Sequence, residues 1–87
     1  MGMPCEVNSL LKLKPDQGYP TVLEVGTRHR VQKNGYRIFP IDVPLSLVDE
    51  NWLAHGDIVI EKLIWEHQIT VLEFRIHRVY ATPFAMQ

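Results

Sequence analysis

The feature that most constrains the fold is a long stretch near the end of the chain, residues 57–80, which contains no glycine and no proline. Within it, residues 69–76 alternate between apolar and mostly polar positions, and the apolar phase contains Leu72, Phe74 and Ile76. Successive side chains of a β-strand point to opposite faces of a sheet, so this alternation predicts a strand with one dry face. We expect the stretch to supply two paired strands and much of the core.

The connection between these two strands leaves two registers open. A two-residue loop at His67-Gln68 places Glu61 opposite Phe74, on the apolar face. A three-residue loop pairs Ile60 with Phe74 but places Lys62 opposite a core leucine. A β-bulge inserts one extra residue and switches the inward face part-way along a strand. We therefore expect a bulge near Glu61-Lys62.

Shorter β-signals come earlier in the chain. Residues 5–13 alternate with the odd positions mostly apolar, which predicts a first strand, and residues 15–18 then place Pro and Gly where a turn can use them. Residues 21–25 are rich in β-formers, and Gly26 is a candidate bend.

The clearest local signal is Asn34-Gly35, because both residues tolerate the positive φ of a two-residue type I′ turn. It predicts a hairpin between residues 28–33 and 36–39, with Gln32 opposite Arg37.

The middle of the chain has two interpretations. Pro40 and Pro44 bracket a segment that we expect to be an edge or a crossing connection. Beyond it, residues 46–49 resemble a capping box, and apolar side chains recur at helical spacing, which predicts one short helix. The alternative is a strand at residues 45–48 followed by a turn at 49–51.

Together these elements predict a single domain spanning residues 1–87. Its length of 87 residues, with 46% hydrophobic and 22% charged residues, suits one small globular core. The predicted fold is all-β, or β with one short helix, arranged as a small antiparallel barrel or sandwich of five to six strands. One cysteine, no apolar run of membrane-spanning length and no signal-peptide pattern indicate a cytoplasmic protein.

A set of local motifs resembles a known family. The start Met-Gly-Met-Pro, the Gly35-Tyr36-Arg37 triplet with Pro40, and the Asp42-Val43-Pro44 triplet are similar to a family of short uncharacterised bacterial proteins, a domain of unknown function. The resemblance runs the length of the chain and implies no activity.

No catalytic or metal-binding pattern is present in the sequence. The four histidines, His29, His55, His67 and His77, have no ligand spacing, and Cys5 lies in the apolar phase of the first strand, where an inert buried thiol is expected. The acidic set does not define an acid–base pair: Asp42, Asp49, Glu50, Asp57 and Glu61. We therefore expect no catalytic residues, no cofactor and no metal, and a protein that is not an enzyme.

Charge distribution supplies the one candidate binding feature. The chain has a net charge of −1, yet residues 12–37 carry six basic and two acidic side chains, and residues 38–73 carry one and seven. The predicted binding residues are basic or aromatic: Arg28, Arg30, Lys33, Tyr36 and Arg37. The predicted hairpin brings three of the arginines onto one face, where they can meet phosphate oxygens or a carboxylate surface.

The function predicted from this feature is that of a non-enzymatic binding module, with the basic hairpin docking a protein partner. The alternative is a small barrel that binds RNA, and a charged but unoccupied edge is the competing structural interpretation. Membrane insertion is not expected, and exposed strand edges make a homodimer one of the possible assemblies.

Overall fold

The computed structural model describes residues 7–86 and contains one mixed β-sheet of five strands. In chain order the strands are β1 (Leu10–Lys12), β2 (Arg28–Asn34), β3 (Pro44–Val48), β4 (Leu53–Glu66) and β5 (Ile69–Ala85), and a 3-10 helix at Pro15–Gln17 lies between the first two. Their order in the sheet is β1-β3-β4-β5-β2. The all-β prediction is confirmed, although the sheet is not closed into a barrel and its β1–β3 pairing is parallel. No helix in the described part of the chain is long and apolar enough to span a membrane.

The two longest strands, β4 and β5, form the predicted closing hairpin. They turn at His67 and Gln68, whose φ angles of 51° and 62° are both positive. Positive φ at both central residues is the geometry of the type I′ turn, whose twist matches that of the flanking strands. The two-residue loop is therefore the one that the chain adopts.

The predicted bulge lies in β4. On the turn side of it Leu63 pairs with Leu72, and on the far side Ile60 pairs with Phe74, so Glu61 is the extra residue. The two registers left open by the sequence each hold on one side of the bulge. Because the inward face switches there, the core keeps its apolar residues and Glu61 projects from the sheet.

The core lies on one face of the sheet and uses the alternating positions of all five strands. Leu72, Phe74 and Ile76 are buried as predicted. Two residues of the connections, Leu13 and Phe39, join the cluster. Its buried members are all apolar: Leu11, Leu13, Val31, Phe39, Leu45, Leu47, Ile58, Ile60, Leu72, Phe74 and Ile76.

The predicted Asn34-Gly35 hairpin is wrong. Gly35 has a φ of 80°, but Asn34 is not among the residues with positive φ, so the type I′ turn does not form. Strand β2 instead pairs antiparallel with β5 over seven residues, from Arg28 opposite Arg75 to Asn34 opposite Ile69. Pairing with the long strand β5 gives β2 a continuous ladder and buries Val31, which a short local hairpin cannot match.

The predicted helix after Pro44 is also wrong, and the alternative strand and turn are confirmed. Strand β3 places Leu45 and Leu47 in the core, in strand phase. The Asp49 side chain then accepts hydrogen bonds from the backbone N–H groups of Asn51 at 2.8 Å and Leu53 at 3.0 Å. In this structure a turn and not a helix follows β3, and the Asp49 carboxylate stabilises that turn by accepting these backbone hydrogen bonds.

The first predicted strand is shorter than expected. Only Leu10–Lys12 forms β1, and Leu11 and Leu13 are buried, as the odd phase predicts. Cys5 lies outside the described residues, and Val7 makes only an isolated parallel bridge to Ile38. Residues 21–25 form a loop rather than a strand.

Candidate partner-binding surface

Strand β2 presents two faces with different chemistry. Its outward face carries the exposed side chains of Arg28 and Arg30, followed by Gln32 and Asn34. Its inward face carries residues that are buried or partly buried, of which Val31 belongs to the core. The prediction that Arg28 and Arg30 share one strand face is therefore confirmed.

The charges of these two arginines are offset by acids on neighbouring strands. Arg28 Nε donates to Glu61 Oε1 at 2.9 Å, and the other Glu61 oxygen lies 3.6 Å from Arg75 Nε. Arg30 lies opposite Glu73, with a nitrogen–oxygen distance of 3.9 Å. Exposed pairs of this kind contribute about 1 kcal/mol or less each. The bulge residue Glu61 thus separates two arginines that would otherwise face each other.

The second group of cations has no such compensation. We define the basic cluster as Lys12, Lys14, Lys33 and Arg37. None of the ion pairs found within residues 7–86 involves a member of this cluster. Burial, followed by the positive charges of Arg37, Lys12 and Lys14, lowers the pKa of the Lys33 ammonium group. The cluster is therefore a local concentration of positive charge.

The segment after β2 fixes Arg37 beside the closing hairpin. The Arg37 backbone N–H donates to the Thr70 hydroxyl at 2.8 Å, and its carbonyl oxygen accepts from the Trp65 indole at 2.8 Å. The Arg37 side chain donates from Nε to Asn34 O at 3.0 Å, which leaves its terminal nitrogens for other partners. Tyr36 lies next to it, with 59% of its surface exposed.

The predicted binding residues are thus brought together only in part. Lys33 and Arg37 belong to the basic cluster and Tyr36 lies beside it, whereas Arg28 and Arg30 are paired with acids. Arg37 does not share a hairpin face with the other two arginines, because that hairpin does not form. Sequence reasoning missed Lys12 and Lys14, whose proximity to Lys33 depends on contacts between distant parts of the chain.

A concave region lies at the turn after β3. It is a cavity of about 380 Å³ lined by Tyr19, Asp49 and His55, among other residues. Asp49 Oδ2 forms a hydrogen bond of 2.6 Å with His55 Nε2, in addition to the two bonds that Asp49 accepts from backbone N–H groups. Its hydrogen-bonding capacity is therefore largely used. Burial, and then the nearby Asp49 charge, raise the pKa of Tyr19 to about 12, so its hydroxyl stays protonated near neutral pH.

The histidines show no common site. His29 packs against Phe74 with 5.5 Å between ring centroids, and His55 is bonded to Asp49, while His67 and His77 are exposed. Within the described residues no group of three or more side chains is arranged to hold a metal ion.

Comparisons with known proteins place the chain in a family. The model of the family described as "Domain of unknown function (DUF2584)" matches residues 1–82. The crystal structure of protein ytmB from Bacillus subtilis is similar to this chain, with a TM-score of 0.73 and 23% sequence identity, over 94% of this chain and 98% of that one. At that identity the similarity shows the fold alone. No curated protein matches the chain.

Proposed function

The chain belongs to the DUF2584 family, and we propose that it is a small, non-enzymatic binding module of the cytoplasm that docks a protein partner with an acidic surface. The basic cluster and Tyr36 form the centre of the proposed contact surface. Arg28 and Arg30 lie further along β2, on the opposite face from Lys33, and border the same strand.

The observation that carries the proposal is the crowding of four cations without an acidic partner among the described residues. Burial and its cationic neighbours make the charged form of Lys33 less favourable than in a free lysine and lower its pKa. A carboxylate placed among these cations would relieve that repulsion and form charge-assisted hydrogen bonds. The cluster therefore gains more from an acidic ligand than the ion-paired arginines of β2 do.

A protein partner is favoured over nucleic acid by the rest of the surface. The chain carries ten acidic and nine basic side chains, and residues 38–73 contribute seven acids against one base. A long polyanion that extends beyond the cluster would meet these acids, whereas an acidic patch on a protein can be as small as the cluster itself.

The experiment is a titration of the protein at ~50 mM salt with a fluorescent oligoglutamate peptide short enough to cover the cluster alone. We expect binding by the wild type, and a loss of at least about tenfold in affinity for the triple variant Lys14→Gln, Lys33→Gln, Arg37→Gln, because exposed charge pairs contribute up to about 1 kcal/mol each. Lys62→Gln is the matched control, since Lys62 is exposed and lies opposite Glu73, outside the cluster.

Three results would overturn the proposal. The first is equal binding by the wild type and the triple variant. The second is an effect of Lys62→Gln as large as that of a cluster variant. The third is tighter binding of mixed single-stranded RNA than of the peptide, with a steep salt dependence, which would support the RNA-binding alternative. An upward shift of the Lys33 pKa on peptide binding, followed by NMR of the side-chain ammonium, would show direct contact.

A further inference from the structure

Strand β2 lies at one edge of the sheet, and its hydrogen-bonding phase is fixed at both ends. The Ile76 N–H donates to Thr27 O at 2.9 Å, and the Gly35 N–H donates to Gln68 O at 2.7 Å. In an antiparallel ladder every second residue exchanges hydrogen bonds with the partner strand. The residues that bond to β5 are therefore the odd-numbered ones. The backbone N–H and C=O groups that point away from the sheet belong to Arg28, Arg30, Gln32 and Asn34.

Among the described residues, few groups pair with these outward backbone N–H and C=O groups. Arg37 Nε donates to Asn34 O. Within residues 7–86 no other hydrogen bond from outside the ladder reaches the backbone of Arg28, Arg30 or Gln32. A row of unpaired N–H and C=O groups along an edge strand is a template for another strand.

A groove runs along part of this edge. It has a volume of about 340 Å³ and lies between the turn at Asp16, Gln17 and Gly18 and the β2 segment from Arg30 to Asn34. Gly18 borders it closely, because a Cβ atom there would lie 2.9 Å from a methyl group of Val31. The free edge therefore has a wall beside it on the inward side and open solvent on the outward side.

We propose that this edge accepts an extended segment of the partner as a sixth strand, and that the segment carries acidic residues at every second position. This inference rests on the proposed function, because it specifies how the acidic partner binds. On the outward face, the side chains of Arg28 and Arg30 are 72% and 66% exposed and can each pair with an acid on the added strand. The alternate side chains of that strand face Asp16 and Val31, which suits small uncharged residues.

The same charges argue against a second copy of the chain as the added strand. Two β2 edges placed side by side bring four arginines to one face, and the outward residues of β2 include no acid. Like charges on neighbouring strands are unfavourable. An acidic segment from another protein fits the edge better.

The test compares two peptides of identical composition: one alternates Glu and Val over seven residues, and the other has its Glu residues in one block. Strand addition predicts at least tenfold tighter binding of the alternating peptide. It also predicts that the backbone N–H groups of Arg28, Arg30 and Gln32 exchange more slowly with solvent in the complex. If both peptides bind equally and these amides are not protected, strand addition is wrong while acidic docking stands.

Backbone methylation gives a second, independent readout on the unmodified protein. One alternating peptide is N-methylated on its Glu residues and another on its Val residues. An added strand bonds to β2 through only one of these sets, the Glu amides if it is antiparallel and the Val amides if it is parallel. One methylated peptide should therefore lose binding and the other keep it, whereas an equal effect of both contradicts the proposal.

Changes in the protein complete the design. Gln32→Pro removes an outward N–H that β5 does not use, which an edge strand tolerates, and Gln32→Ala is its control. We expect only Gln32→Pro to weaken binding of the alternating peptide, with both variants melting cooperatively.

If no acidic peptide binds the wild type, the docking proposal fails as well. A β2-mediated dimer that the peptide dissociates would assign the edge to a second copy instead.

Discussion

Gly56 is the position at which a single methyl group should do most damage to the fold. It lies in β4 at a shift of register, opposite Val79. A Cβ atom at Gly56 would lie 2.3 Å from the carbonyl oxygen of Arg78 and 3.3 Å from the Cα atom of Val79. Both atoms belong to the backbone of β5, so relief of the clash requires the two longest strands to separate locally. Gly56 is not among the glycines with positive φ, so Gly56→Ala adds no strain of that kind to the backbone. The substitution therefore tests how closely the two strands approach.

Overpacking typically costs about 1–3 kcal/mol, and a clash with backbone belongs at the upper end of that range. Against a total stability of about 4–13 kcal/mol for a domain of this length, a loss of about 3 kcal/mol is large. It corresponds to a fall in Tm of about 12–24 °C, measured by thermal denaturation followed by circular dichroism.

Gly35→Ala is the matched control for this substitution. A Cβ atom at Gly35 has no neighbour within 4 Å, but the residue has a φ of +80°. The expected loss of stability is the cost of placing an alanine at positive φ, about 1–2 kcal/mol. The order of stability should be wild type, then Gly35→Ala, then Gly56→Ala. A Tm for Gly56→Ala within a few degrees of the wild type would refute the close approach of β4 and β5.

Two electrostatic substitutions have expected directions. Burial opposes the charge of Asp49, but hydrogen bonds from His55 and two backbone N–H groups outweigh it and lower its pKa. Its stabilising contribution is thus present above the unfolded pKa of about 3.9 and is lost as pH falls further. In Asp49→Asn, the free energy of unfolding measured by urea denaturation should therefore fall less than in the wild type as the pH drops below about 3.9. An equal fall in both proteins would contradict this. Glu61→Gln should lower the free energy of unfolding by about 1 kcal/mol or less, because Arg28 and Arg75 lose their shared carboxylate. It should also tighten acidic-peptide binding, because Glu61 no longer competes with the peptide for Arg28. Weaker peptide binding would contradict this competition.

The closing hairpin was predictable because its signals are local and numerous. The absence of Gly and Pro between residues 57 and 80, together with the alternation of apolar and mostly polar residues from Ile69 to Ile76, left only the register undecided. The position of Glu61 then required a bulge, since a carboxylate opposite Phe74 would be buried without a partner. The structure contains that bulge.

The Asn34-Gly35 hairpin failed for the opposite reason. Its signal was a preference of two residues for one turn, which is worth little against a ladder that extends over all seven residues of β2. The competing strand, β5, lies far away in sequence, so no local pattern indicates the pairing. The parallel β1–β3 pairing is equally non-local, and with it the positions of Lys12 and Lys14 relative to Lys33 could not be predicted.

The alternation of faces along β2 decides which of its charges remain available. Arg30 points outward and meets Glu73 on β5, and Arg28 meets the carboxylate that the bulge projects. Lys33 points inward, where the residues in the same row across the sheet are Thr70 and Trp65, neither of which is charged. The charges that lower its pKa are those of cations from other segments, Arg37, Lys12 and Lys14. Within the described residues, β2 thus offers an unpaired backbone edge with ion-paired arginines on one face, which acidic side chains of an added strand can meet. Lys33 lies on the other face, where the acidic surface of the same partner can meet it.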